Sequence, residues 1–346
     1  MNFNHDTHFP LISVKGNSFE MGYQHGSQAK ILIHKYLDWI EDLTGKKRDL
    51  LCHNAMIFAP LIKNLSPLLF EEIKGLAKGA SISFEEAVLC QARAEASKIS
   101  EGGCTAFAVT GSATASGFPL AGQNQDLESG YSDVAILLHV KPTDGRPRAL
   151  MFTFAGQLGY SGLNEYGVAH FANALYGFRW QRGLPHYPLK RIMLEKTSTE
   201  ECVKLLTENR TCSAANIIIC DRKGKLADLE VMPEKISEPR FDSKDIKLHT
   251  NHYLSKDFLR YEENTLPDSS NRLERMKFLV NQYSGTISVD TLKTILADHQ
   301  EKETSICRHG GSNLHSISGY IAEPEKSILH VRKGYGCSGE WQEYEV

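Results

Sequence analysis

At residues 101–109 the chain runs Glu101-Gly102-Gly103-Cys104-Thr105-Ala106-Phe107-Ala108-Val109: two glycines, a cysteine, then a short β-like run. A polar connector, Lys98-Ile99-Ser100-Glu101, leads into it. Glycine has no Cβ, so the peptide ahead of Cys104 is open to close approach. A thiol just after an unhindered glycine carbonyl can attack that carbonyl and form a thioester. Water would then open the thioester and leave Cys104 as a new N-terminus, with a thiol and a free α-amine. Such an amine titrates at about 7.7–8.0, which suits it to act as base for its own thiol. The nonapeptide also has a plain reading. Free cysteine is commonly a small buried hydrophobe, and Gly-Gly commonly makes a turn.

The texture of the chain changes at this point. Upstream it is mostly helical. Residues 9–15 predict an edge strand beginning at Pro10. Asn17, with Glu20 three residues on, reads as a helix cap. Phe19, Tyr23, Ala29, Ile33, Tyr36, Leu37, Ile40 and Leu43 then recur at helical spacing. Gly22 and Gly26 share one face, so a second backbone is expected to pack closely there. His25 and His34 are placed on the flanks of this helix. Residues 49–97 predict two or three further helices. Downstream, residues 105–110 and 118–124 predict a hairpin turning through 111–117. Strands are expected again at 133–140, 149–154, 167–173, 215–221, 226–232, 316–322, 327–331 and 341–344. Helices are expected at 188–196, 198–208, 270–283 and 289–298. Hairpins interleaved with helix pairs predict an α+β fold of stacked, mainly antiparallel sheets covered by helices.

Composition bounds the partners. The chain has 346 residues, of which 41% are hydrophobic and 23% charged, an ordinary globular make-up with length for a large core. The net charge of −3, with no long block of one sign, argues against nucleic acid as a partner. The start, Met1-Asn2-Phe3-Asn4-His5-Asp6, lacks the basic flank and apolar core of a signal peptide. No apolar run reaches the length of a membrane helix. The expectation is a cytoplasmic protein with no membrane partner. Eight cysteines are scattered without a Cys-x-x-Cys, which favours reduced thiols and gives a metal site little support.

Three polar stretches could serve a cysteine nucleophile. Gly122-Gln123-Asn124-Gln125-Asp126 ends the strand expected to pair with the nucleophile strand, so the Asp126 carboxylate could hold an amine beside Cys104. A strand-ending turn residue is the plain alternative. In His249-Thr250-Asn251-His252 the two histidines, three apart on a strand, would face opposite sides and would not easily share an ion. Asn251 could instead donate its amide to a developing oxyanion. Thr304-Ser305-Ile306-Cys307-Arg308 places Arg308 after a short apolar run, where it could stabilise a carboxylate or thiolate. Gly310-Gly311-Ser312 lacks the pattern of a phosphate loop. Asn164 and Asn173, flanking Gly167-Val168-Ala169, are further polar candidates, with Asn173 and Thr105 as substrate contacts.

Taken together these stretches resemble one family. Matching segments run in order: Ser18-Phe19-Glu20-Met21-Gly22-Tyr23-Gln24-His25-Gly26, Glu72-Ile73-Lys74-Gly75-Leu76-Ala77-Lys78-Gly79-Ala80, Gly103-Cys104-Thr105 and Gly122-Gln123-Asn124-Gln125-Asp126. Then come Gly167-Val168-Ala169 with Asn173-Ala174-Leu175, His249-Thr250-Asn251-His252, Leu266-Pro267-Asp268-Ser269-Ser270-Asn271-Arg272 and Ser305-Ile306-Cys307-Arg308. The ordered set resembles the acyl-coenzyme A:isopenicillin N (6-aminopenicillanic acid) acyltransferases, in the peptidase C45 group of N-terminal nucleophile (Ntn) hydrolases. The resemblance implies an αββα sandwich and a precursor cut between Gly103 and Cys104. A helical piece, 1–103, and a larger piece, 104–346, would stay associated as one folded unit. It further implies Cys104 as nucleophile, Asp126 positioning the new α-amine, Asn251 as oxyanion donor and Arg308 lining the site. His170 and His252 then fall to structural roles. No cofactor is implied, although acyl-coenzyme A could be a co-substrate beside a small N-acyl amide or other acyl donor. Two positions depart from the penicillin-pathway pattern: Gln125 stands for a tryptophan and Leu127 for an aromatic. The pocket wall there is expected to differ.

Three functions follow. The first is an autoproteolytically activated acyltransferase or amidohydrolase working through a Cys104 thioester. The second is an uncleaved hydrolase pairing Cys104 with a histidine, sensitive to His252→Ala. The third is a non-catalytic protein that binds acyl ligands.

Overall fold

Two β-sheets lie face to face in the structure, a computed structural model describing residues 7–99, 102–300, 304–309 and 314–346. The larger has eight strands in the order β1 (Leu11–Gly16), β4 (Ala135–Pro142), β5 (Ala149–Phe154), β6 (Ser161–Asn164), β7 (Ala169–Ala174), β8 (Ala215–Cys220), β9 (Leu226–Val231) and β10 (Ile236–Ser237). The smaller has six, ordered β11 (Ile246–His249), β2 (Gly103–Val109), β3 (Leu120–Leu127), β12 (His315–Glu323), β13 (Ile328–Lys333) and β14 (Trp341–Glu345). All neighbours pair antiparallel except β1, which runs parallel to β4. The sheets meet through large side chains: Tyr320 of the smaller sheet packs on Phe152 and Phe171 of the larger, with ring centroids 4.8 and 6.3 Å apart.

Strand alternation sorts β2 between two layers. Ala106 and Ala108 join the core between the sheets, whereas Phe107 and Val109 join a second core. That second core is completed by Leu273, Met276 and Leu279 of α10 (Asp268–Gln282) and by Leu292, Ile295 and Leu296 of α11 (Val289–Leu296). The other helices are α1 (Ser18–Gln28), α2 (Lys30–Thr44), α3 (Arg48–Met56), α4 (Ala59–Leu65), α5 (Pro67–Ala80), α6 (Phe84–Gln91), α7 (Arg93–Ser97), α8 (His186–Met193) and α9 (Thr199–Glu208). They share the inter-sheet core with the larger sheet, which gives the αββα order of layers. Among the described residues no helix is long and apolar enough to cross a membrane.

Local chemistry explains the upstream half. Asn17 Oδ1 accepts the Glu20 N–H at 3.0 Å and Glu20 Oε2 accepts the Asn17 N–H at 2.9 Å, a reciprocal cap. The face carrying Gly22 and Gly26 meets α5, which answers with Gly75 and Gly79. A Cβ on Gly22 would sit 1.9 Å from the Glu72 carbonyl oxygen, and one on Gly75 2.1 Å from that of Phe19. The two backbones therefore touch, as the spacing predicts.

Several expectations need correction. One long helix over 19–43 is two, broken at Ala29, and 49–97 folds as five helices rather than two or three. His25 is not on a flank. It is wholly buried at the crossing, its Nε2 accepts the Gly156 N–H at 3.2 Å, and burial pushes its pKa down to about 3. Strands β6, β10 and β11 are additional to those expected. Ser100, Glu101 and the Gly310-Gly311-Ser312 stretch lie outside the described residues.

Candidate active site

Cys104 is the second residue of β2 and buried. Its side chain points into the space between the sheets, while Gly103 and Thr105 face the α10 side. Gly102 enters with φ +103°, a left-handed value that favours glycine, and a Cβ there would lie 2.6 Å from Leu127 Cδ2. The Gly102 carbonyl accepts the Tyr176 hydroxyl at 2.7 Å. A Cβ on Gly103 would lie 2.7 Å from Arg308 Nη1 and 3.6 Å from Asp126 Oδ2. The two glycines thus let the chain pass between Leu127 and Arg308 to reach the cysteine.

Four distant segments converge on this peptide. Register places Asp126 directly opposite Gly103, and Gln125 opposite Cys104. Asp126 is fully buried; its Oδ1 accepts the Ser316 hydroxyl at 2.6 Å, and its Oδ2 has no hydrogen-bond partner among the described residues. Burial raises its pKa, against the lowering influence of Arg272 and Arg308. Asn251 Oδ1 accepts the Cys104 backbone N–H at 2.8 Å, and its Nδ2 donates to the Ala174 carbonyl at 3.0 Å. The amide is thus engaged at both ends before any substrate is present. Arg308 Nη1 lies 3.2 Å from Asp268 Oδ2.

Arg272 is the residue that sequence reasoning missed. Its guanidinium is completely buried and donates to the Cys104 carbonyl at 2.6 Å, the Thr105 hydroxyl at 3.0 Å and Asn251 Oδ1 at 2.8 Å. Asp268, one turn earlier on α10, accepts from its Nε at 2.7 Å. An Asp–Arg pair four apart in the quoted Leu266–Arg272 stretch was the available signal. Thr105 is therefore occupied with Arg272 on the α10 side and does not face the cavity.

On the other face Cys104 borders a cavity of about 90 Å³, room for about three waters. Its wall includes Gln125, Leu127, Tyr160, Asn173, Tyr187 and Lys190. The two departures from the family pattern, Gln125 and Leu127, thus do form the wall beside the nucleophile. Arg93, Ala94, Glu95 and Ile99, from the chain ahead of Cys104, also line it. Asn173 Nδ2 donates to Asn216 Oδ1 at 2.6 Å, and Asn216 in turn bonds Asp228. Asn164 lies elsewhere and holds Leu194 and Lys196 carbonyls. Burial, then the Asp126 charge, push the Cys104 thiol up to about 12, opposed by Arg272, Lys190 and the Ala174 N–H. Lys190 is buried over the rings of Tyr160 and Tyr187, and burial lowers its pKa to about 8.

His170 and His252 do not line the cavity beside Cys104. His170 Nε2 pairs with the Lys190 carbonyl at 2.8 Å, and His252 Nδ1 with Ser269 Oγ at 2.8 Å. His186 reaches the cavity wall, its Nε2 paired with the Ser213 carbonyl at 3.1 Å and its pKa lowered by burial to about 4.

A buried cysteine thus heads an inner strand of a two-sheet sandwich, with Asn251 on its backbone nitrogen and Asp126 opposite the glycine before it, an arrangement suited to acyl transfer through the thiol. Residues 113–334 match the family described as acyl-coenzyme A:6-aminopenicillanic acid acyl-transferase. The chain is also 30% identical over 308 residues to the acyl-coenzyme A:6-aminopenicillanic-acid-acyltransferase 40 kDa form of Emericella nidulans, covering 86% of this chain and 84% of that one. The chain belongs to this acyltransferase family. Among solved structures it is similar to a conjugated bile acid hydrolase from Clostridium perfringens (14% identity, TM-score 0.49, 70% of this chain and 97% of that chain). It is also similar to penicillin V acylase from Agrobacterium tumefaciens (10%, 0.49, 70% and 86%).

Proposed function

We propose that the chain is a precursor that cuts its own Gly103–Cys104 peptide and then acts as an N-terminal-cysteine acyltransferase or amidohydrolase. Family membership supports acyl transfer or amide hydrolysis in general. The observation that carries the finer reading is the placing of two polar side chains on the two sides of the Gly103–Cys104 peptide. Asn251 accepts the Cys104 N–H, and Asp126 Oδ2, which has no hydrogen-bond partner among the described residues, lies beside Gly103. A buried N–H needs an acceptor in any case; what favours the finer reading is that the acceptor is a side chain that can stay with the nitrogen after the peptide is cut.

In the first step the Cys104 sulfur attacks the Gly103 carbonyl carbon. The C–N bond breaks, the nitrogen takes the thiol proton, and a thioester forms. Water then splits the thioester, giving a Gly103 carboxylate, a free thiol and a free α-amine. Asn251 Oδ1 already accepts from that nitrogen, and the space vacated by Gly103 opens the amine to Asp126. In turnover the α-amine takes the thiol proton and the sulfur attacks an acyl carbonyl. The leaving amine recovers the proton, and an acyl-thioester remains. Water completes hydrolysis; an amine acceptor completes transfer. Acyl-coenzyme A would serve as a donor by the same attack on its thioester.

Size supports the order of events. About 90 Å³ is below the range of ligand pockets, roughly 300–1,000 Å³. Cleavage makes a chain end of the segment that carries Arg93, Ala94, Glu95 and Ile99, so that the wall they form can shift and enlarge the site. The pieces are expected to remain together, because β1 pairs with β4 and Arg191 of α8 makes a buried ion pair with Glu72 of α5 at 2.9 Å. Metal and nucleic acid have no part in this chemistry as proposed, and the acyl and amine groups are small molecules.

Intact-mass measurement of purified protein tests the proposal. Wild type should give pieces of about 11 and 27 kDa, apportioning 38.7 kDa by residue count, the larger beginning Cys-Thr-Ala-Phe. Cys104→Ala should stay one chain and hydrolyse no N-acyl amide. A fully active, uncut wild type would sink the proposal, and a large loss on His252→Ala would then favour the Cys–His alternative.

A further inference from the structure

Outside the active site, four metal-type ligands from three separate segments converge. His299 follows α11, Cys307 and His309 flank Arg308 on the strap leading to β12, and Cys337 lies in the turn between β13 and β14. One ligand atom from each falls within 4.8 Å of all the others. His299 Nε2 lies 2.6 Å from His309 Nε2, which lies 3.5 Å from Cys337 Sγ. We infer that His299, Cys307, His309 and Cys337 form a structural metal site for a zinc-class divalent ion.

The chemistry of the set selects the ion. Two thiols and two imidazoles with no carboxylate suit Zn²⁺ and its tetrahedral substitutes, and exclude the oxygen-seeking Ca²⁺ and Mg²⁺. Four protein ligands fill a tetrahedral shell, which is the structural rather than the catalytic pattern. Bond lengths of about 2.0–2.1 Å to nitrogen and 2.3 Å to sulfur imply ligand separations of about 3.3–3.8 Å. The observed atoms straddle that range. The imidazole pair must open, and the widest pairs close, by about 1 Å. On binding, both thiols release their protons to solvent and the imidazoles ligate neutral, so a centre with a 2+ ion carries no net charge.

The surroundings hold these segments ready. The Cys307 N–H donates to the Asp298 carbonyl at 3.0 Å, tying the strap to the residue before His299. The Gly336 N–H donates to Cys307 Sγ at 3.1 Å, a bond that orients a thiolate ligand. A Cβ on Gly336 would lie 2.3 Å from the Leu296 carbonyl oxygen, so the β13–β14 turn rests on the end of α11. The Tyr335 ring packs on His309 with centroids 4.8 Å apart. Two ligands bracket Arg308, whose guanidinium abuts Gly103 and Asp268. The ion would therefore fix the strap that carries Arg308 to the cleavage peptide. That consequence, unlike metal binding itself, rests on the cleavage reading.

Metal titration of the full chain tests the site. After EDTA stripping and under reductant, wild type should take up one Zn²⁺ per chain. Its Co²⁺ form should show tetrahedral bands with sulfur-to-metal charge transfer. Cys104→Ala should bind equally, which keeps this result independent of cleavage. His309→Ala and Cys337→Ser change exposed side chains, so their folds are expected to survive by circular dichroism. Each should weaken Zn²⁺ binding about 100-fold or more. Absence of stoichiometric Zn²⁺, retention of wild-type affinity in the His309→Ala/Cys337→Ser double variant, or a Cys307–Cys337 disulfide in place of metal under reductant would each overturn the inference.

Discussion

Asn251 Oδ1 accepts the backbone N–H of Cys104 at 2.8 Å, across 147 residues of sequence. The same oxygen takes Arg272 Nη2 at 2.8 Å. One side-chain oxygen thus fixes the nitrogen that cleavage would convert to an α-amine.

Asn251→Ala should leave that nitrogen and the Arg272 guanidinium short of an acceptor. The expected stability loss is about 1–3 kcal/mol, with chain cleavage slowed up to about 100-fold because the reacting peptide is no longer held in place. Asn251→Asp retains an acceptor oxygen and should cleave faster than the alanine variant. Time courses on denaturing gels read both. Cleavage at the wild-type rate in Asn251→Ala would remove Asn251 from the mechanism.

Gly103→Ala drives a methyl group to within 2.7 Å of Arg308 Nη1. Cleavage should fall by at least 10-fold, since a displacement of about 1 Å at a reacting centre can cost 100-fold. Arg308→Ala added to Gly103→Ala should restore folding stability relative to the single glycine variant. A double-mutant cycle on melting temperature measures this coupling, and strict additivity would show that the two residues do not touch.

Arg272→Leu removes the guanidinium that satisfies the Cys104 carbonyl, the Thr105 hydroxyl and Asn251 together. It also strips Asp268 of its 2.7 Å partner. Breaking a buried pair in this way costs about 3–5 kcal/mol. Chemical denaturation should show a loss of that size. Arg272→Lys should recover only part of it, because a single ammonium cannot reproduce a planar fork of donors.

Buried histidines set an acid limit, His25 and His170 most strongly. Burial lowers His25 and His170 to about 3, below the unfolded value of about 6.5. The unfolded chain therefore takes up protons that the native chain refuses. Their contribution is whole above pH 6.5 and drains away as pH falls toward 3. By pH 5 each has lost about 2 kcal/mol. Asp228, raised to about 6 by burial, acts in the opposite sense over pH 6 to 4 and offsets part of the loss. NMR titration should find the His25 and His170 ring signals unchanged down to pH 5. A midpoint near 6.5 for either would contradict its burial.

Much of the scaffold was legible because its signals are local. The Asn17–Glu20 cap, the Gly22/Gly26 face and the hairpin that aligns Asp126 with Gly103 all rest on residues close in sequence or on strand register. Strand β11 was not legible. It has only four residues, too few for its apolar–polar alternation to stand out, and its pairing partner β2 lies far away in sequence.

The sequence alone determined most of the strands and the chemical types: a cysteine behind two glycines, an Asp at the end of the adjoining strand, and an ordered set of family segments. Tertiary structure decided which distant groups meet. It put Arg272 on the Cys104 carbonyl and Tyr176 on the Gly102 carbonyl, placed Thr105 on the face away from the cavity, and gathered His299, Cys307, His309 and Cys337 at one point. The physical reason is range. Helix caps and strand alternation act over a few residues, whereas a buried guanidinium or a ligand cluster finds its partners only once the sheets have stacked.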